Sequence, residues 1–213
     1  MKVFVLNGWA AKEAAWSRCA FRRDRIFSWV EQLDGAADAA VAAEKGGAAL
    51  VGWSMGGTNA LRIAAAMPRR IKGLVLIGAT ARMTAAENWK GLSPKRLAAL
   101  EFALKHGGSP AAELAGMDYT AVYDAEDARN LARGLDVLRD TDLRVALIDL
   151  LASGALNCPV HIFQSENDAV VRPENARFLA AVFPRAAVHM IPGSEHALPL
   201  SVPGMIDEAV NGL

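Results

Sequence analysis

The sequence predicts an α/β architecture: an open, mostly parallel sheet of about six strands, helices on both faces, and a helical insertion. Three observations carry this. Short apolar runs recur along the chain with little alternation, as in strands covered on both faces. Helical stretches fall between those runs, and strand–helix alternation favours a parallel sheet. The alternation breaks once, between Ile77 and Val160, over a gap too long for a single crossover helix.

The strand runs are Val3–Leu6, Ala48–Trp53, Leu74–Ile77 and Val160–Phe163, with Val188–Ile191 as a fifth and Arg25–Trp29 as a weak sixth. Gly, Pro or Asn bounds them. Helices are expected over Ala36–Glu44, over Thr58–Met67 closed by Pro68, over Pro173–Val182 with Pro184 beyond its end, and over Pro203–Val210. In the long gap, Leu97, Leu100 and Leu104 share a helical stripe, as do Leu143, Leu147, Leu150 and Leu151. Gly107-Gly108-Ser109-Pro110 divides two such helices. The expected organisation is a core of residues 1–79 and 157–213 with a helical lid, 80–156, over the carboxyl ends of the strands.

A chain of 213 residues fits one domain and can bury roughly 70% of its unfolded surface, enough for a core without metal or disulfide staples. Lys and Arg number 23, and so do Asp and Glu, which leaves no excess charge to draw the chain to nucleic acid or a membrane surface. The apolar start Met1–Leu6 is too short for a signal sequence, and no run is long enough to span a membrane. Cys19 and Cys158 are read as reduced thiols. The expectation is a soluble, cytoplasmic protein.

The chemistry starts at Gly52-Trp53-Ser54-Met55-Gly56, a Gly-x-Ser-x-Gly pattern between an apolar strand and an alanine-rich helix. A sharp strand-to-helix turn pushes the serine hydroxyl clear of the sheet, and a helix starting at Met55 aims free N–H groups at an oxyanion forming there. The serine needs a base. His161 and His189 lie inside strands, and His106 ends a lid helix. His196 lies in a loop just after the last strand, where such sheets carry chemistry. Asp168 follows the strand Val160–Phe163 and is the expected partner of His196, with Glu166 as the alternative. Glu195 is read as exposed. The order Ser54, Asp168, His196 is a known order for a serine nucleophile with its acid and base. The oxyanion donors are expected to be the backbone N–H groups of Met55 and of Trp9, in the loop Asn7-Gly8-Trp9-Ala10. The alternative reading of Trp9 is a buried aromatic, and Trp53 reads as pocket wall or core filler. No metal or organic cofactor is required.

With these residues in place the chain resembles the α/β-hydrolase superfamily and, more closely, the pimeloyl-[acyl-carrier protein] methyl ester esterases of biotin synthesis. The resemblance rests on Leu50–Gly57, on Glu87-Asn88-Trp89-Lys90-Gly91-Leu92-Ser93-Pro94, on Gly134–Arg144, and on the Asp168 and Glu195-His196-Ala197 loops. It departs from the family's His-Gly-Trp-Gly-type loop, having Asn7-Gly8-Trp9-Ala10 instead, and its lid is shorter. The resemblance implies an α/β-hydrolase fold and hydrolysis of a methyl ester carried by acyl carrier protein. Trp53 and Trp89 would line the substrate site. Arg129 and Arg133, four apart on a helix face and followed by Arg139 and Arg144, would meet the acidic carrier, although a solvated face with pairs such as Glu126 with Arg129 accounts for them equally. A general short-chain esterase or thioesterase, or a hydrolase-like domain that only binds, are the alternatives.

Overall fold

All strand pairs run parallel. The computed structural model describes residues 1–106, 128–193 and 195–213. Its strands are β1 (Lys2–Leu6), β2 (Arg25–Phe27), β3 (Ala48–Trp53), β4 (Ile71–Ile77), β5 (Val160–Ser165) and β6 (Ala187–Ile191), in the order β2-β1-β3-β4-β5-β6. The chain steps outward from β1 to β2, then crosses back over β1 to β3. The direction of winding reverses between β1 and β3, and the crevice outside their carboxyl ends is where open α/β sheets bind ligands.

Successive side chains of each strand feed opposite layers, even though the runs look continuously apolar. Phe4, Leu6, Leu50, Leu74, Leu76 and Ile162 join one buried cluster, and Val5, Val51, Val75, Ile77 and Phe163 the other. The helices are α1 (Trp29–Leu33), α2 (Ala36–Ala43), α3 (Met55–Ala66), α4 (Pro94–Lys105), α5 (Ala128–Asp140), α6 (Arg144–Ser153), α7 (Pro173–Val182), α8 (Leu198–Ser201) and α9 (Pro203–Asn211). The first cluster packs on α2, α3, α6 and α7, the second on α8, α9 and a 3₁₀ turn, Glu13–Trp16. Among the described residues no helix is long and apolar enough to cross a membrane.

Three expectations need correction. The weak sixth strand ends at Phe27, not Trp29. Ser28 Oγ accepts the Glu31 N–H at 3.2 Å while the Glu31 carboxylate accepts the Ser28 N–H at 2.8 Å, a reciprocal cap that starts α1. The helix after the Ser54 turn begins at Met55, as the turn requires, and so includes the residues before Thr58. The edge strand β6 is not covered on both faces, since Val188 and Met190 are each 41% exposed. Leu151 points to solvent, while Leu143, Leu147 and Leu150 are buried in the same cluster as β3 and β4. So α6 lies against the core layer. A third apolar cluster instead joins α4 and α5 to the loops at the carboxyl ends of the strands: Leu100, Leu104, Leu131, Leu135 and Leu138 meet Trp9, Met55, Met83 and Val170. The glycine-rich break at 107–110 and Glu126 lie outside the described residues.

Candidate active site

Ser54 sits between β3 and α3 with φ 56° and ψ −120°, a left-handed conformation that costs a non-glycine residue about 1–3 kcal/mol. The turn is held on both sides. The Ser54 N–H donates to the Ile77 carbonyl at 2.8 Å, and its carbonyl accepts the Thr58 N–H at 3.1 Å. The close approach of strand and helix requires glycine at two places. A Cβ on Gly52 would lie 2.5 Å from the Gly56 carbonyl oxygen, and one on Gly56 would collide with the Leu6 carbonyl. Met55 opens the helix, so its N–H has no carbonyl one turn earlier to bond within α3.

The loops after β5 and β6 meet this serine. His196 Nε2 lies 2.9 Å from Ser54 Oγ, and His196 Nδ1 lies 2.7 Å from Asp168 Oδ2. Asp168 is wholly buried and His196 is 4% exposed. A carboxylate oxygen only accepts, so Nδ1 carries the proton facing Asp168 and Nε2 is left to accept from the serine hydroxyl. Asp168 is itself fixed, because its Oδ1 accepts the N–H groups of Val170 at 2.7 Å and Val171 at 3.0 Å. Gln164 Nε2 approaches Oδ2 at 3.4 Å. The two loops are zipped together: the Asn167 N–H donates to the Gly193 carbonyl at 2.9 Å, and Ser165 Oγ donates to the Glu195 carbonyl. Glu166 and Glu195 are exposed, so Asp168 is the carboxylate that faces the imidazole. Ser194 of this loop lies outside the described residues.

Trp9 is 4% exposed and its indole Nε1 donates to the Leu131 carbonyl of α5 at 3.2 Å. Gly134 of the same helix lies against the indole, where a Cβ would overlap Cδ1 and Nε1. Gly8 abuts the nucleophile: a Cβ there would be 3.4 Å from Ser54 Cβ. Thus the loop after β1 lies between the serine and α5.

Of the other expected site residues, Trp53 lies 5.8 Å from the His196 ring, Trp89 borders a cleft that Asp168 also lines, and the arginines lie on α5 and α6. Trp53 is a core residue, 1% exposed in the cluster with Trp16 and Phe163, and its Nε1 donates to the His196 carbonyl at 2.9 Å. This bond ties the backbone of the base's loop to the end of β3. Trp89 stands edge-on to Phe178 at 5.2 Å, and its Nε1 donates to the Arg82 carbonyl at 2.9 Å. It borders an open cleft with Asn167, Arg172 and Arg177. Arg133 pairs with Asp34 at 2.6 Å, Arg139 with Asp136, Asp140 and Glu101, and Arg144 with Asp142. Arg129 is exposed in the first turn of α5. A separate cavity of about 440 Å³ runs beside α3, lined by Met55, Met83 and Leu138 and, on its polar side, by Gln32, Asn59 and Arg62.

The remaining titratable side chains of interest lack the nucleophile's setting. Burial pushes the Cys19 thiol up to about 12 and the Cys158 thiol to about 11, which leaves both protonated and inert near neutrality. His161 and His189 stack on each other across β5 and β6, with Nδ1 of the first 3.2 Å from Nε2 of the second; burial lowers the pKa of both. His106 caps α4 through the Phe102 carbonyl at 2.8 Å.

Two groups in the loop's surroundings escape a sequence reading, namely Gln32 and Gly134. The Ser28-x-x-Glu31 cap would have revealed the helix carrying Gln32. Nothing local marks Gly134, whose role depends on a tryptophan far away in the chain.

Comparisons with known proteins bear on the family and the fold. A family model described as the Alpha/beta hydrolase family matches residues 14–208. Among curated relatives, a pimeloyl-[acyl-carrier protein] methyl ester esterase of Yersinia enterocolitica is 29% identical over 75% of this chain and 66% of its own length. The namesake from Yersinia pseudotuberculosis is 28% identical over 72% and 64%. The chain thus spans just under two thirds of the length of these relatives. Among solved structures, an enol-lactonase from Burkholderia xenovorans superposes with a TM-score of 0.76 at 18% identity, covering 99% of this chain and 90% of that one. An esterase from Exiguobacterium antarcticum gives 0.72 at 15% identity, covering 100% and 91%. Matched by the family model over most of its length, the chain belongs to the alpha/beta hydrolase family.

Proposed function

We propose that this chain is a serine carboxylic ester hydrolase working through an acyl-enzyme. The observation that carries the reading is the unbroken contact chain from Asp168 through His196 to Ser54, at 2.7 and 2.9 Å. Ser54 Oγ attacks the ester carbonyl carbon while His196 Nε2 takes its proton. The oxyanion is held by the Met55 and Trp9 N–H groups. As the intermediate collapses, the bond to the leaving oxygen breaks and His196 returns the proton to it, releasing the alcohol. Water then attacks the acyl carbon while His196 accepts its proton, and as the acyl–Oγ bond breaks His196 returns that proton to Ser54 Oγ, giving the acid and free serine. Asp168 holds the imidazole in the tautomer this requires and stabilises the imidazolium.

For substrate we propose the methyl ester of pimeloyl-[acyl-carrier protein], the ester in the names of the curated relatives, with methanol as the alcohol released. The carrier would approach the cap helices α4 and α5 by way of Arg129 and Arg133. Since Arg133 already holds Asp34, docking there requires exchange of an intramolecular carboxylate for one of the carrier. We place the protein in the cytoplasm on this reading.

A fluorophosphonate probe tests the chemistry. One adduct on Ser54, abolished in Ser54→Ala, is expected; no adduct on the parent chain would leave a binding domain. Rates on the carrier-borne methyl ester, against p-nitrophenyl esters of graded length, test the substrate. A preference for the short esters, with no gain from the carrier, would reduce the assignment to a general short-chain esterase.

A further inference from the structure

We infer that Asn7 and Gln32 are positioning residues for the oxyanion hole: together they fix the peptide plane that presents the Trp9 N–H. The inference rests on the hydrolytic reading above.

The loop after β1 is under-determined by its own sequence. Gly8 is flexible, and Ala10 is held at φ 58°, a left-handed conformation that an alanine resists. Something must hold this turn, and the resembling family's pattern, with histidine first and glycine last, is not what this chain has. The structure supplies a clamp. Asn7 is 1% exposed and spans the turn with its own side chain: Nδ2 donates to the Ala11 carbonyl at 2.9 Å. Its Oδ1 accepts the indole N–H of Trp16 at 2.9 Å. The orientation is unambiguous, because an indole only donates and a carbonyl only accepts. The Asn7 backbone is pinned separately. Its N–H donates to the Phe27 carbonyl at 3.1 Å, and its carbonyl accepts Gln32 Nε2 at 2.9 Å. Gln32, 5% exposed, also donates to the Phe27 carbonyl at 3.2 Å, so one side chain ties both strand ends.

The consequence falls on the next peptide. The Gly8 carbonyl accepts the Ala11 N–H at 3.1 Å, closing the turn inward. In a trans peptide the N–H points opposite to the C=O. The Trp9 N–H is therefore turned out of the loop, and the loop lies against Ser54. Loosening Asn7 or Gln32 frees that plane to rotate without touching Ser54, His196 or Asp168. Gln32 also accepts Asn59 Nδ2 at 3.3 Å, which joins the clamp to the polar wall of the cavity beside α3.

Two nearly isosteric substitutions test this. Asn7→Asp keeps the acceptor for Trp16 and loses the donor to Ala11. Gln32→Glu loses the donor to Asn7. Turnover of p-nitrophenyl butyrate is measured per fluorophosphonate-titrated site, with Tm alongside. In both variants kcat is expected to fall about tenfold or more with KM within about twofold, since a displaced donor acts only in the transition state. The rate of fluorophosphonate labelling should fall in parallel, because its tetrahedral adduct uses the same donor. Trp16→Phe, which removes the indole N–H and also leaves a small core cavity, should give a smaller loss of kcat per titrated site in the same direction beside a lowered Tm, and its kcat decides with the remaining variant should either of the others fail to fold. A lowered Tm with kcat per titrated site within about twofold of the parent overturns the inference and leaves these residues as folding elements. No adduct on the parent chain overturns the hydrolytic reading and this inference with it.

Discussion

The shelf that carries Ser54, His196 and Asp168 and the cap formed by α4 and α5 hold their polar groups in opposite ways. On the shelf, partners are set by the path of the chain: Asp168 accepts the N–H groups of Val170 and Val171, the His196 carbonyl accepts the Trp53 indole N–H, and Asn7 donates to the Ala11 carbonyl. On the cap, charged side chains pair with one another near solvent, as Arg139 does with Glu101, Asp136 and Asp140. Backbone partners of this kind cannot be exchanged. Side-chain pairs in water are worth little and can be traded for a ligand. Geometry that must be exact in position belongs on the first kind of support, and a surface that opens or receives a partner belongs on the second.

The largest expected effect tests the shelf. Asp168→Asn preserves shape but presents an amide N–H or a carbonyl to His196 Nδ1. It favours the tautomer that puts a proton on Nε2, where Ser54 Oγ–H must donate. A loss of about 10⁴ in kcat is expected, with the fold intact by circular dichroism. A loss below about tenfold would mean that Asp168 only ties the loops together.

Next comes the seam between the two regions. Gly134→Ala removes a helix-interior glycine, a change that ordinarily stabilises by about 1 kcal/mol. Here the new methyl meets the Trp9 indole, which is itself bonded to Leu131. Overpacking of this kind costs about 1–3 kcal/mol, so the sign is expected to reverse and Tm to fall. An increase in Tm would place the cap further from the oxyanion loop than the structure has it.

One node on the cap side departs from the weak-pair pattern. Asp142 accepts from Arg82 at 2.6 Å and from Arg144 at 2.8 Å, where the chain leaves the cap. The side-chain bond from Arg144, with help from Arg82, holds its carboxyl well below the usual carboxylate range. A depressed folded pKa means stability that is present above the unfolded value, about 3.9, and lost as pH falls through the folded one. Asp142→Asn should therefore cost about 1 kcal/mol at neutral pH, after allowing for solvent screening. The gap between variant and parent should narrow as pH falls below about 4 and close only below the folded pKa, read in urea titrations. A gap independent of pH would assign the loss to packing.

Back on the shelf, Trp53→Phe keeps most of the ring but drops the bond to the His196 carbonyl. The lost bond costs about 1 kcal/mol and the cavity left by the smaller ring adds to it, so a several-fold loss in kcat and a clear loss in Tm are expected. Equal kcat with a lowered Tm would make Trp53 filler alone.

The same contrast explains what could be read from the sequence. The Ser54 turn is legible because its constraints are local: Gly52 and Gly56 must lack a Cβ so that β3, β1 and α3 can approach. Asp168 and His196 are legible because they follow strands, and strand ends converge in a parallel sheet. The strands themselves announce their positions as apolar runs, β6 among them, although at the sheet edge Val188 and Met190 remain exposed. Helix α1 is missed because Phe27 and Trp29 read as one apolar run, although Ser28 between them turns the chain. Asn7 acting through Trp16, Gln32 and Ala11 is not legible, since each partner comes from a different element. Nor are the pairings of the cap arginines, where several carboxylates lie within reach and only the packing of α1 against α5 selects Asp34 for Arg133.

That pair carries the smallest expected effect. Arg133 Nη2 and Asp34 Oδ1 are 2.6 Å apart, yet their side chains are 42% and 57% exposed. Holding two such chains in one geometry offsets most of the attraction, so Arg133→Ala should change stability by less than about 1 kcal/mol and progressively less as salt is added. Turnover of p-nitrophenyl esters should be unchanged, because the helix backbone that meets Trp9 is untouched. If the carrier docks here, KM for the carrier-borne ester alone should rise, and Asp34→Ala should lower it by releasing the guanidinium. A loss of several kcal/mol in Arg133→Ala would break the comparison, for it would mean that the cap, too, depends on a polar contact that cannot be exchanged.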